Sequence, residues 1–335
     1  MRSALRFSAS RLAGGGLLLL AIVAVLLWLL PSNTYIFLPD RAHPVAPLIA
    51  VQGGHKQTGS GGIYFVDIFV RKATLIERLF PSIHEGAQLV PASAVLPNGV
   101  SEKAREQADE REMTRSQQVA AAVALRAAGY HVIARPTGAL IEQVASDVPA
   151  SGKLQPTDVV TAADGQPVES PLDLRRIVQA HHPGDTIRLT VRRGSELKQL
   201  DVGTVADRLH PGHALIAVFL DQAAFIKLPI KVKINAGSIG GPSAGLAFAL
   251  DVLEELGRNV DHGRRVAATG QLELNGTVSA IGGVEQKTIG VRRSGIDVFL
   301  VPAGENAAVA RRYAHGLRIV PVHSFRQALR ALATL

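Results

Sequence analysis

The 335 residues include no cysteine, carry a net charge of +8, and are 47% hydrophobic, 19% charged and only 4% aromatic. That composition excludes a disordered chain and gives length for two compact domains plus extras. It also excludes a disulfide framework or a thiolate metal site. The basic pairs Arg192-Arg193, Arg264-Arg265, Arg292-Arg293 and Arg311-Arg312 are scattered without interleaved aromatics, so no nucleic-acid partner is expected.

In chain order, residues 1–11 contain Arg2, Arg6 and Arg11, and Leu12–Leu30 is almost uninterrupted apolar sequence. As a helix it would reach roughly 28 Å, about the thickness of a hydrocarbon core. Only Arg41 is basic in the twenty residues that follow. The positive-inside rule then predicts a single-pass anchor in the lipid bilayer of the cell membrane, with residues 1–11 cytoplasmic and everything after about Pro31 outside. No small-x-small cleavage site directly follows Leu30, which favours an anchor over a cleaved signal peptide.

Residues 31–128 read as a linker with a strand over Ile63–Val70 and a helix from Ser101 to Ala128, stopped by Gly129. No catalytic motif is visible there. Residues 129–205 alternate short apolar runs with turns: Gly138–Val144, Asp158-Val159-Val160, Asp164–Val168, a short helix over Asp173–Val178, and Pro183–Val191. This order resembles bacterial PDZ domains. The resemblance implies that an extended polypeptide adds to a sheet edge, with Gly129 and Tyr130 bordering the groove. A β-rich spacer without a ligand is the plainer reading of the same pattern.

The richest signal lies in residues 206–335. Gly240-Gly241-Pro242-Ser243-Ala244-Gly245 places one serine in a glycine-bracketed turn. Pro242 suits a first helical turn, and Leu246, Ala249, Leu250 and Leu253 continue at helical spacing. Ser243 then sits at a helix N-terminus beside N–H groups without helical partners, which suits an oxyanion. Lys287, in Gly282-Gly283-Val284-Glu285-Gln286-Lys287, stands among Val278, Ile281, Val284, Ile289 and Val291. A free lysine titrates near ~10.4, and lowering that by about three units takes roughly 4 kcal/mol, within reach of burial. Taken singly, Ser243 is a helix cap and Lys287 a solvated lysine; together they form a nucleophile and base.

These strings, with Ala268-Thr269-Gly270-Gln271, Asn275-Gly276-Thr277-Val278 and Phe299-Leu300-Val301-Pro302, resemble the proteolytic domain of Lon-type serine peptidases, over about Ala214–Leu335. The resemblance implies Ser243 as nucleophile and Lys287 as base, with Thr269 orienting the lysine and Gly241, Pro242 and Ala244 supporting the oxyanion site. Gly240 departs from the family, since many ATP-dependent members carry an acid there. The expected architecture is α+β: a transmembrane helix, a small β-rich PDZ-like domain, and an α/β Lon-type domain.

No phosphate loop and no HExxH string occurs, so no ATP motor, cofactor or metal is expected. The expected activity is ATP-independent cleavage of exported or membrane-proximal proteins. Two alternatives stay open. One is an inactive membrane scaffold that binds peptides. The other is an esterase, because Gly241–Gly245 also fits G-x-S-x-G, with His315 or His323 as its histidine.

Overall fold

A computed structural model describes residues 9–55, 61–95, 102–207, 210, 212–237 and 240–335, without the side chains of residues 9–16, 20, 102 and 104. Helix α1 (Ala9–Leu29) takes up most of the apolar N-terminal run. Its described side chains begin at Leu17, a stretch of roughly 20 Å. Among the described residues no helix is long and apolar enough to cross a membrane. The expected Leu12–Leu30 span coincides with α1 up to Leu29, and the side chains of residues 12–16 and 20 lie outside those described.

Strand β1 (Pro31–Pro44) follows α1 directly and pairs antiparallel with β2 (Gly62–Thr74), Tyr35 opposite Lys72 and Leu38 opposite Phe69. Thr74 and Glu77 form a capping box that starts the short helix α2 (Leu75–Leu79). Strand β3 (Gln88–Pro91) pairs with the other edge of β1. Helix α3 (Glu102–Ala127) follows, and its alanine-rich second half is buried.

A second sheet comes next. It contains β4 (Ile133–Val144), β5 (Val159–Ala163), β6 (Thr186–Arg193), β7 (Glu196–Gly203) and β8 (Val218–Lys227), in the order β8-β4-β5-β6-β7. Helix α4 (Pro171–Gln179) is capped by Ser170, starts on a proline, and buries Leu174, Ile177 and Val178 in this unit's own core.

The chain then returns to the first layer through α5 (Gly245–Glu255), β9 (Arg265–Ala268), α6 (Val284–Arg293), β10 (Val298–Pro302), α7 (Glu305–Tyr313), β11 (Arg318–Val322) and α8 (Phe325–Ala333). The first sheet runs β11-β10-β9-β2-β1-β3, with β2 parallel to β9, Ile63 beside Val266.

This arrangement redraws two expected boundaries. The segment 31–128, read as a linker, supplies half of the first sheet. It also supplies α3, whose Met113, Val119, Ala120 and Val123 share one core with Leu246, Phe248, Leu250 and Leu253 of α5. The boundary expected at 205/206 falls short as well, because β8 pairs with β4 along its whole length, from Val144 opposite Val218 to Ile133 opposite Lys227. The PDZ-like unit is thus inserted between α3 and α5. Strand pairing across such separations leaves no local trace, since each strand carries only its own alternation.

Candidate active site

Ser243 lies in a single 3-10 turn, Pro242–Ala244, that leads into α5. All eleven residues of α5 are buried, so the turn is anchored from behind. Gly241 enters it at φ 81°, a left-handed conformation that a side chain would strain. Three donors fix the turn's carbonyls. Gly270 N–H and Thr269 Oγ1 donate to the Ser243 carbonyl at 2.8 and 3.3 Å, and Ser116 Oγ of α3 donates to the Pro242 carbonyl at 3.1 Å. Ser116 also fills the space beside Gly245, where an added Cβ would lie 2.9 Å from its Oγ.

Lys287 comes from α6, which starts after Gly283 at φ 67°. That helix lies directly on β1: a Cβ at Gly290 would come within 1.8 Å of the Asp40 carbonyl oxygen, so only glycine allows the approach. Lys287 is 3% exposed, and its Nζ donates to Ser243 Oγ at 2.7 Å. Burial pushes its pKa down to about 8, opposed only in part by the negative charge of Asp67. Asp67, on β2, is itself raised by burial, while the Ile68 N–H, donated to its Oδ1 at 2.8 Å, opposes the rise. Ile68 packs against Gly283, which joins β2 to the start of α6.

The structure therefore brings Ser243 and Lys287 together across 44 positions of sequence. Pro242 and the buried Ala244 share the serine's 3-10 turn. Thr269 is placed differently: its hydroxyl holds the Ser243 carbonyl, because the Gly270 turn carries it to the serine's backbone. Gly129 and Tyr130 also serve another purpose. Their N–H groups bond to Arg126 and Leu125 carbonyls and stop α3, while the edge strands of the PDZ-like sheet are β8 and β7. Sequence reading missed Asp67 and Ser116. Asp67 had one visible sign, a lone acid inside the apolar run Ile63–Val70.

Three further carboxyl groups meet where the two units touch. Glu142 of β4, Asp221 of β8 and Glu273 hold oxygen atoms within 4.8 Å of one another. Gln271 Nε2 donates to Glu142 at 2.8 Å, and Arg115 bonds Asp221. Burial, then the charges of Asp221 and Glu142, push Glu273 up to about 7.

A hydroxyl bonded to a buried, easily neutralised lysine places a candidate nucleophile beside a candidate base. Residues 213–334 match the family model for the Lon protease (S16) C-terminal proteolytic domain, and residues 107–204 match that for the PDZ domain. Lon protease 1 of Sorangium cellulosum is 28% identical over 211 residues, 54% of this chain and 25% of that protein. Lon protease 1 of Bdellovibrio bacteriovorus is 32% identical over 153 residues, 45% of this chain and 18% of that protein. The solved PDZ domain of the SdrC-like protein from Listeria monocytogenes is 27% identical, with a TM-score of 0.24, covering 25% of this chain and 87% of that one. The chain spans a quarter or less of the length of these two Lon proteases. It is a mixed α/β chain with one segment that matches the PDZ family model and another that matches the C-terminal proteolytic domain of Lon proteases.

Proposed function

We propose that this chain is a membrane-anchored, ATP-independent serine endopeptidase that cuts exported or membrane-proximal polypeptides, with Ser243 as nucleophile and Lys287 as general base. The observation that carries this reading is the 2.7 Å contact between Ser243 Oγ and a buried Lys287 Nζ with a pKa of about 8. At pH 7 about one lysine in ten is neutral, against fewer than about one in a thousand for a free side chain. The neutral amine takes the Ser243 proton as Oγ attacks the scissile carbonyl, then returns it to the leaving amine. A water molecule, deprotonated by the same amine, resolves the acyl-enzyme. Backbone N–H groups of the Pro242–Ala244 turn, at the positive end of α5, suit the oxyanion.

Membrane attachment is supported by the arginine imbalance around Leu12–Leu30 and by the exposure of Leu17, Leu18, Leu19, Trp28 and Leu29 on α1. That orientation leaves the PDZ-like and proteolytic domains outside the cytoplasm, where the PDZ-like unit would dock polypeptide substrates. Against an esterase, the hydrogen-bond partner of Ser243 Oγ is the Lys287 amine rather than an imidazole.

The test is hydrolysis of an unfolded protein and of short peptides by the full chain without ATP. Activity should sediment with salt-washed membranes, and Ser243→Ala and Lys287→Arg should each abolish it, since arginine cannot release its proton near neutral pH. A folded Lys287→Arg protein working at near wild-type rate would overturn the mechanism. Activity released by the salt wash would overturn the anchor alone.

A further inference from the structure

The chain leaves α1 at Leu30 and is caught at once by the segment that follows β2. Pro31 lies opposite Thr74 in the β1–β2 ladder, and the Leu75 N–H donates to the Leu30 carbonyl at 3.0 Å. Helix α2 therefore starts where α1 ends, and the two helices touch. Beyond α2 a single 3-10 turn, Pro81–Ile83, completes a short excursion before β3. Three large apolar side chains of this excursion are left uncovered: Leu79 is 61% exposed, Phe80 58% and Ile83 46%. Trp28, Leu29 and Leu30, at the end of the adjoining α1, are exposed as well.

The excursion is held from inside by polar groups. Glu77 is buried, and its carboxylate accepts from Arg71 Nη1 at 2.8 Å, from the Thr74 N–H at 2.9 Å and from His84 Nε2 at 2.8 Å. Charge is thus turned inward while leucine, phenylalanine and isoleucine are turned out. Single exposed apolar residues are ordinary, but three within Leu79–Ile83, beside an apolar helix end, form a patch with a use. Arg78, exposed on the same helix, adds a cation of the kind that anionic headgroups attract. Apolar side chains with a basic neighbour are the composition of a segment that lies in a membrane interface.

The excursion then runs on to the helix that carries the lysine. Arg292 and Arg293 bond to Glu85, and Gln286 Nε2 donates to the Gly86 carbonyl at 2.8 Å. Gly86 lies so close to Ile289 that a Cβ there would collide with its side chain. Residues 85 and 86 therefore seat α6, whose Lys287 meets Ser243. Asp67, whose charge acts on Lys287, lies on the same strand as Thr74. Their separation along β2 is roughly 23 Å.

We infer that Leu79, Phe80 and Ile83 are seated in the interfacial layer of a lipid bilayer beside the exit of α1, a fixed foot that holds α6 and its lysine at a set height above the membrane. This rests on the reading of α1 as an anchor and goes beyond it by naming the surface of the proteolytic unit that meets lipid. The bilayer is the occupant because the Leu75–Leu30 bond fixes the patch against the segment that enters the membrane. A polypeptide rising from the same membrane reaches the dyad over about seven extended residues, so cleavage is directed to bonds near the lipid surface.

The chain has no cysteine, so Phe80→Cys gives a single labelling site, and Phe219→Cys gives a second, at an exposed phenylalanine of the PDZ-like sheet. The full-length variants are reconstituted into vesicles of equal parts phosphatidylcholine and phosphatidylglycerol and labelled with the fluorophore NBD. Flotation of the vesicles in alkaline carbonate tests the anchor separately. The foot predicts that doxyl-labelled lipid at least halves the emission at position 80 and leaves position 219 unchanged, while aqueous iodide does the reverse. Since the fluorophore itself favours an interface, the unlabelled cysteines are also timed against a polyethylene-glycol maleimide. Position 80 should react about 10-fold more slowly than position 219 in vesicles, and equally fast once the protein is unfolded in dodecyl sulfate. A chain that floats while position 80 is quenched and modified like position 219 would overturn the foot and leave the anchor standing. A chain that does not float would overturn both.

Discussion

Replacing Lys287 by methionine should abolish hydrolysis and yet make the protein more stable at neutral pH. Burial takes the lysine from its ordinary 10.5 to about 8, and at ~1.36 kcal/mol per pKa unit this is roughly 3 kcal/mol of destabilisation at pH 7. The sign follows from proton counts. Between about pH 8 and 10.5 the unfolded chain holds a proton that the folded chain has lost, so stability climbs with pH across that window. Below about 8 the full cost is present. Methionine has a similar shape and adapts to irregular apolar surroundings. It forfeits the bond to Ser243, worth about 1 kcal/mol. The net gain is therefore roughly 2 kcal/mol at pH 7 and close to zero at pH 10, where only about 1 kcal/mol of the burial cost remains. Urea unfolding of the full chain, followed by circular dichroism at both pH values, measures the difference. A methionine variant less stable than wild type at pH 7, or one whose gain is the same at pH 10, would refute the buried, depressed lysine.

Two further predictions concern residues that only the fold reveals. Asp67→Asn removes the negative charge that holds the Lys287 pKa up. The apparent pKa of kcat/KM should fall below the wild-type value, with a larger share of plateau activity kept at pH 6; an unmoved pKa would refute the coupling. Ser116→Ala leaves the Pro242 carbonyl without its donor and should lower kcat about 5- to 10-fold with little change in KM, the kinetic equivalent of the ~1 kcal/mol of a buried hydrogen bond. An unchanged kcat in a folded variant would refute a positioning role.

The two residues that meet at the centre of the site were legible because each sits in a string whose residue types have few other uses. Gly-Pro-Ser-Ala-Gly shapes a tight turn with an outward hydroxyl, and a lysine in an apolar run is costly without a reason. The supporting residues had no such string. Ser116 lies in a polar helix where serine is unremarkable, and its bond to Pro242 spans 126 positions. The partner of Thr269 was misjudged for a related reason. A threonine between a strand and a glycine can bond any nearby group, and only the fold shows the Ser243 carbonyl within reach.

The place of residues 31–128, in sequence a linker with a strand and a helix of unknown role, was hidden for the same physical reason. Alternation in Ile63–Val70 announces a strand but not its neighbours, and β2 finds β1 on one side and β9, two hundred positions later, on the other. A parallel pairing between distant segments is specified by burial on both faces rather than by a turn. Here the intervening chain folds as a separate unit with its own core of Ile141, Leu174, Ile187 and Leu189.

That insertion constrains how substrate docking can be separated from catalysis. Removing residues 130–205, the segment that looks like a self-contained domain in sequence, would strip β8 of its partner β4 and leave an edge strand with exposed Phe219 and Phe225 just ahead of Ser243. Such an edge invites aggregation, and lost activity would then report misfolding. The structure offers a cleaner cut. Ile133 and Lys227 are paired across the β4–β8 ladder, so their Cα atoms lie about 5 Å apart. A short glycine–serine link between residues 132 and 228 would close the gap and leave the first sheet, α3, α5 and α6 intact. In that chain Ser116 still seats Pro242 and Lys287 still meets Ser243, so what is lost is the PDZ-like surface. The same cut removes Glu142 and Asp221, which brace Gln271 and Glu273 beside the nucleophile turn. Any change in short-peptide turnover therefore measures that brace, and any further loss confined to protein substrates measures docking.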